Sequence, residues 1–228
     1  TVEQQVSSNM SVRIGYVGSF GYHGMLSVDP NSVPAQICST STCTTGGAPA
    51  AATPTNAALR ATVVQGAQYI PVATRPNPQL SGGFFWYTEG NSSYNALQLE
   101  VNRRLSANLQ FRVNYTWAKN LDMNSGLTGA QAQNQAQMIL DRNDLRRDWG
   151  PSALTPTSQG TVSAHYQLPI GDPKAGGFRN RLVSGWQLNG ITQMLSGFPF
   201  TPQIGANRSG DGDTRNPDRP SLTPAFPG

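Results

Sequence analysis

Leu97-Gln98-Leu99-Glu100-Val101-Asn102-Arg103-Arg104-Leu105-Ser106-Ala107-Asn108-Leu109-Gln110-Phe111-Arg112-Val113-Asn114-Tyr115-Thr116-Trp117 decides the fold. Successive side chains of a β-strand point to opposite faces, so a period of two marks a strand with two different environments. In the first arm Leu97, Leu99 and Val101 are apolar, while Gln98, Glu100, Asn102 and Arg104 are polar. In the second arm Leu109, Phe111, Val113, Tyr115 and Trp117 are apolar, and Gln110, Arg112, Asn114 and Thr116 are polar. Ser106, Ala107 and Asn108 make a three-residue turn between them. With Leu105 opposite Leu109, Val101 pairs with Val113, Leu99 with Tyr115 and Leu97 with Trp117, and Glu100 faces Asn114. A slip of one residue would mix the faces, so pattern and turn length agree on one register. Arg103 is the exception on the apolar face. Beside a membrane rim its guanidinium can snorkel to water at a cost of about 0 to 1 kcal/mol.

Moving outward, Met10, Val12, Ile14 and Tyr16 alternate with Ser11, Arg13 and Gly15, and Val162, Ala164, Tyr166 and Leu168 alternate with Thr161, Ser163, His165 and Gln167. Pro169 lacks an amide donor and stops that ladder. Trp186, Leu188, Thr192 and Met194 alternate with Gln187, Asn189 and Gln193, although Gly190 and Ile191 blur the pattern. With a frayed start from Thr1 this makes six strands. Short connections fall at Ser7 to Asn9 and Ser106 to Asn108, with a medium one from Pro169 to Asn180. Long ones run from Phe20 to about Phe84, from Asn120 to about Ser158, and from about Gly205 onward, and strand parity puts all three on one side. Outer-membrane barrels have short periplasmic turns and longer extracellular loops. Tyr16, Tyr115 and Trp117 sit at the long-loop ends of their strands, where an interfacial girdle would lie. The competing reading is a soluble sandwich whose core these aromatics fill, and connections this long are uncommon in a compact soluble domain.

Composition agrees. Only 12% of the 228 residues are charged, while Gly (24) and Pro (17) are plentiful, a mix that suits strands and loops better than helices. Ala130 to Leu140, rich in Ala and Gln, is the one stretch expected to form a short helix within a loop. The formal charge is +4, but fourteen of the sixteen cations are Arg scattered singly or in pairs, which argues against nucleic acid as a partner. There is no apolar run of 18 residues, so no transmembrane helix is expected; a barrel needs none. Cys38 and Cys43, the only cysteines, are expected to form a local loop disulfide, which suits an oxidising location outside the inner membrane. Zinc would need more ligands than they and His23 provide.

Gly15-Tyr16-Val17-Gly18-Ser19, Asn91-Ser92-Ser93-Tyr94-Asn95-Ala96-Leu97-Gln98, Asn114-Tyr115-Thr116-Trp117-Ala118-Lys119, Gly185-Trp186-Gln187-Leu188-Asn189-Gly190 and Ser196-Gly197-Phe198-Pro199-Phe200-Thr201, taken in order, resemble the barrel strands of Oar-like TonB-dependent receptors. The resemblance runs over nearly the whole chain. It implies a large outer-membrane barrel, plugged from the periplasmic side and energised through TonB. Such a barrel has roughly 22 strands, so residues 1–228 are expected to be a partial barrel domain with no plug domain. The implied function is uptake of an unidentified substrate across the outer membrane. The implied partners are membrane lipid and, through the full-length protein, the plug and the TonB system.

The predicted fold class is therefore all-β, with about six antiparallel transmembrane strands of an incomplete barrel and long extracellular loops. The lipid face cannot hydrate charge, so the polar row faces the lumen. Its candidates are Arg13, Gln98, Glu100, Asn102, Arg104, Gln110, Arg112, Asn114, His165, Gln187, Asn189 and Gln193. The plainer reading is a hydrated wall, stabilised by cross-strand neighbours such as the diagonal Glu100 and Arg112; the functional reading is a surface for the plug or a passing solute. Asp211, Asp213 and Asp218 among glycines could ligate calcium, but lack an EF-hand's spacing and closing Glu, and turn chemistry explains them better. Asp141, Asp144 and Asp148 with Arg142, Arg146 and Arg147 are expected to be solvated loop ion pairs. His23 and His165 lie in no nucleophile motif, and no phosphate loop or metal spacing is present, so neither an enzyme nor a cofactor is expected. The alternative function is a soluble all-β binding module of adhesin or carbohydrate-binding type.

Overall fold

Alternation becomes a ladder of antiparallel strands in the computed structural model, which describes residues 1–45, 62–71, 73–80, 82–83, 85–106, 108–126, 138–171, 177–203 and 219. The strands are β1 (Val2–Ser7), β2 (Met10–Val28), β3 (Gln36–Ile37), β4 (Thr42–Thr44), β5 (Thr62–Val64), β6 (Gln68–Tyr69), β7 (Phe85–Ser106), β8 (Leu109–Asp122), β9 (Gly150–Pro151), β10 (Ser158–Gln167) and β11 (Gln187–Leu195). The main sheet runs β1-β2-β7-β8-β10-β11, with the two-residue β9 attached to β8. The six long strands of this path are the six read from the sequence, and the path does not close into a barrel.

Two strands are much longer than their alternation suggests. β2 has 19 residues and β7 has 22, whereas a membrane-spanning strand needs about 9 to 11. β2 thereby takes in Phe20–Val28, the first nine residues of the segment expected to be the first long loop. The signal weakens there because Gly18 and Gly24 interrupt the even, apolar row and Gly15 and Gly21 the odd one. The chain divides into two compact units, and both strands contribute to each.

The first unit comprises residues 1–20, 93–120 and 155–198. β8 and β10 pair so that Val162 lies opposite Val113, Ala164 opposite Phe111 and Tyr166 opposite Leu109. β10 and β11 pair so that Leu188 lies opposite Tyr166 and Thr192 opposite Val162. One apolar face thus runs across three strands. β1 and β2 pair with Val2 opposite Ile14, and a register shift between Gln5 and Ser7 accommodates the turn. The apolar face is open: Ile14 is 48% exposed, Trp117 55% and Leu188 61%. Leaving such a side chain in water forfeits roughly 1.5 to 3 kcal/mol, whereas lipid tails restore that contact. Asn108 closes the β7–β8 turn at φ 63°, a left-handed conformation that Asn tolerates better than most residues. Phe178–Val183, within and just beyond the medium connection, forms a short helix that the sequence reading did not anticipate.

The second unit comprises residues 21–92, 121–154 and 199–228, and it holds the buried apolar cluster: Leu26, Val28 and Ile139, with Met123 and Leu145 packed against them. The Ile139 amide donates to the Ser27 carbonyl at 3.1 Å, tying that loop segment to the end of β2. Beside the cluster, the buried Asp29 carboxylate accepts the amides of Asn31 (2.9 Å) and Gly83 (3.0 Å) and pairs with Arg75 at 3.3 Å. The Asn31 side chain donates to the carbonyls of Asn77 and Leu80 and accepts the Asn77 amide. A buried loop must satisfy its backbone groups, and these two side chains do that here. Gly24 and Gly90 sit where backbones touch: a Cβ on Gly90 would lie 2.8 Å from the Gly24 carbonyl oxygen.

Two small ribbons, β3 with β6 and β4 with β5, extend this unit. Cys38 and Cys43 are joined by a disulfide, and Cys38 is 1% exposed. One expectation is corrected: Asp148 is not a solvated loop charge. It is 7% exposed, accepts the Leu140 amide at 2.9 Å and pairs with Arg219 at 2.6 Å instead of with its sequence neighbours. The helix expected over Ala130 to Leu140 falls mostly outside the described residues, as do Asp211, Asp213 and Asp218.

Candidate functional site

The polar positions of the first unit are brought into rows by the same register that aligns the apolar ones. Across β8, β10 and β11, Gln110 lies opposite His165 and His165 opposite Asn189; Asn114 lies opposite Thr161 and Thr161 opposite Gln193. Arg112 lies opposite Ser163, and Ser163 opposite Ile191. Ile191, which blurred the alternation of the last strand, therefore falls in the polar row, while Gly190 falls in the apolar one.

Five of the twelve candidates, Asn102, Arg104, Gln110, Arg112 and His165, line one concavity of about 580 Å³, together with Ser163 and parts of Phe111 and Ala164. Two more act at its border. Glu100 Oε1 lies 3.4 Å from Arg112 Nε. Asn189 Oδ1 lies 2.5 Å from His165 Nδ1. Both contacts join neighbouring strands, the separation over which cross-strand pairs stabilise a sheet.

The other five candidates do not line the concavity. Arg13 lies opposite Glu3 in the β1–β2 pair, and Gln187 lies opposite Gln167 at the end of the β10–β11 ladder. Asn114 and Gln193 flank Thr161. Gln98 shares a face with Gly15, whose Cβ position is 3.9 Å from Gln98 Oε1. Ser163 was missed as a site residue although it belongs to the polar alternation, between Thr161 and His165, and that alternation was the available signal. Among the described residues, no three His, Cys, Asp or Glu side chains converge as a metal ion would require.

Chemically, the concavity offers two guanidiniums, one imidazole, amides and a hydroxyl, with one carboxylate at its edge. That inventory is a hydrogen-bonding surface with excess positive charge, on the face opposite the exposed apolar rows. Such two-sidedness in a single sheet is the pattern of a barrel wall between lipid and water.

Comparison with curated proteins and with solved structures gave no match. The sequence does match the family described as "Outer membrane beta barrel domain", over residues 1–227. A match of that extent takes in both units and every strand above, so the chain belongs to the outer membrane β-barrel domain family and its place is the bacterial outer membrane.

Proposed function

We propose that the chain is part of the barrel wall of a TonB-dependent outer-membrane transporter and has no enzymatic role. The observation that carries this reading is the polar concavity on the face opposite the exposed apolar rows, which gives a hydrated inner wall for a passing solute. The ordered motifs resembling Oar-like receptors, and the family's place in the outer membrane, support it. In this reading the full-length protein brings a plug domain and engages the TonB system, and the long segments of the second unit meet the substrate first. A soluble binding module would need a cover over Ile14, Trp117 and Leu188, which are exposed.

Site-specific photo-cross-linking of the full-length protein to TonB in cells tests the proposal. A cross-link from a segment upstream of residue 1 is expected. A full-length gene with neither a plug domain nor a TonB-contacting segment would overturn the transporter reading while leaving the barrel assignment intact.

A further inference from the structure

Among the described residues, the lining of the concavity of Asn102, Arg104, Gln110, Arg112, Ser163 and His165 includes no carboxylate. Arg104 is exposed and makes no ion pair among the described residues. Arg112 remains 55% exposed even with Glu100 beside its Nε, so one carboxylate stands against two guanidiniums. The Asn189 contact occupies His165 Nδ1 and leaves the other ring nitrogen uncommitted to that bond. Guanidinium forks match the oxygens of carboxylate and phosphate bidentately. The volume of about 580 Å³ falls in the range of about 300 to 1,000 Å³ typical of small-molecule sites.

We propose that this concavity binds the carboxylate or phosphate group of a small anionic solute, held by Arg104 and Arg112 with Asn102, Gln110, Ser163 and His165 supplying polar contacts. The inference rests on the transporter reading for its purpose, but not for its chemistry. The guanidiniums are open to water, so binding is screened by salt and weak. Weak binding suits a site that a solute must enter and also leave.

The experiment is calorimetric titration of the full-length protein in detergent micelles with glutarate and with inorganic phosphate, using 1,5-pentanediol as the uncharged control. Wild type binds one or both anions and not the diol; whichever binds shows whether the carboxylate or the phosphate is the preferred group. Replacing both guanidiniums (Arg104→Gln with Arg112→Gln) weakens binding at least about tenfold, and Arg104→Lys weakens it less. Arg104→Gln alone removes no ion pair seen among the described residues, so a loss of binding in this single variant reads the site even where the double variant fails to fold. Absence of anion binding by wild type, as when an acidic segment of the protein itself fills the concavity, overturns the proposal. So does equal affinity in wild type and Arg104→Gln. Arginine-dependent binding without a TonB cross-link would leave the site standing and defeat the transporter reading; a cross-link without anion binding would do the reverse.

Discussion

Arg112 Nε lies 3.4 Å from Glu100 Oε1 across the neighbouring strands β7 and β8. This is the diagonal contact expected when Glu100 faces Asn114, and it links the hairpin's polar row to the concavity. Both side chains are partly exposed, so the pair is worth about 0.2 to 1 kcal/mol. A double-mutant cycle of Glu100→Gln and Arg112→Gln, read by urea unfolding of the full-length protein in lipid vesicles, should give a coupling energy of that size that shrinks with salt. A coupling of several kcal/mol would mean that the pair is buried in the assembled barrel.

The two rows of β8 should respond in opposite ways to charge. Val113→Arg puts a guanidinium on the apolar face and should cost roughly 2 to 4 kcal/mol if it lies near the bilayer midplane. Asn114→Arg, one residue on, should cost less than about 1 kcal/mol because the polar face is hydrated. Vesicle unfolding checks both, and equal costs would contradict the assignment of faces.

Gly90 is placed by close approach of two backbones. A Cβ there would meet the Gly24 carbonyl oxygen at 2.8 Å and Leu26 Cδ2 at 3.1 Å, and the carbonyl cannot swing aside as a flexible side chain could. Gly90→Ala should destabilise the second unit by about 1 to 3 kcal/mol. Gly66→Asn, at φ 85° with open space around it, should cost much less. Limited proteolysis of the long segments would report the difference.

Asp148 sets a pH dependence in the second unit. Burial pushes its carboxyl above the usual range, and Arg219, the Leu140 amide and Arg147 offset this only in part. A raised folded-state value means that the folded form holds its proton more tightly than the unfolded form. The group's stabilising contribution is therefore full below the ordinary carboxylate value of about 3.9 and is lost as pH rises through the folded value. Hydrogen exchange at the Leu140 amide, corrected for the intrinsic rate, should show protection falling across that interval. In Asp148→Asn this component of the pH dependence should disappear.

The main sheet was legible because a period of two is local: Leu97 to Trp117 carries its register in side-chain alternation and turn length. The strand extensions were not legible. In β2, glycines at positions 15, 18, 21 and 24 remove the side chains that would report which face is which. The helix Phe178–Val183 was missed for another reason: it is six residues long, too short for a helical period to show. The concavity was half legible, since parity named Arg112 and His165 as polar-face residues but not that they share one hollow with Ser163.

The sequence by itself determined the strand character and the alternation of two faces, because these follow from interactions between residues near in the chain. Only the tertiary structure decided which polar groups meet: His165 with Asn189 across a 24-residue separation, and Asp148 with Arg219 across 71. Such pairings depend on how intervening loops pack. The same physics buried Asp148 while leaving Arg104 open to solvent, and no local pattern distinguishes those two charges.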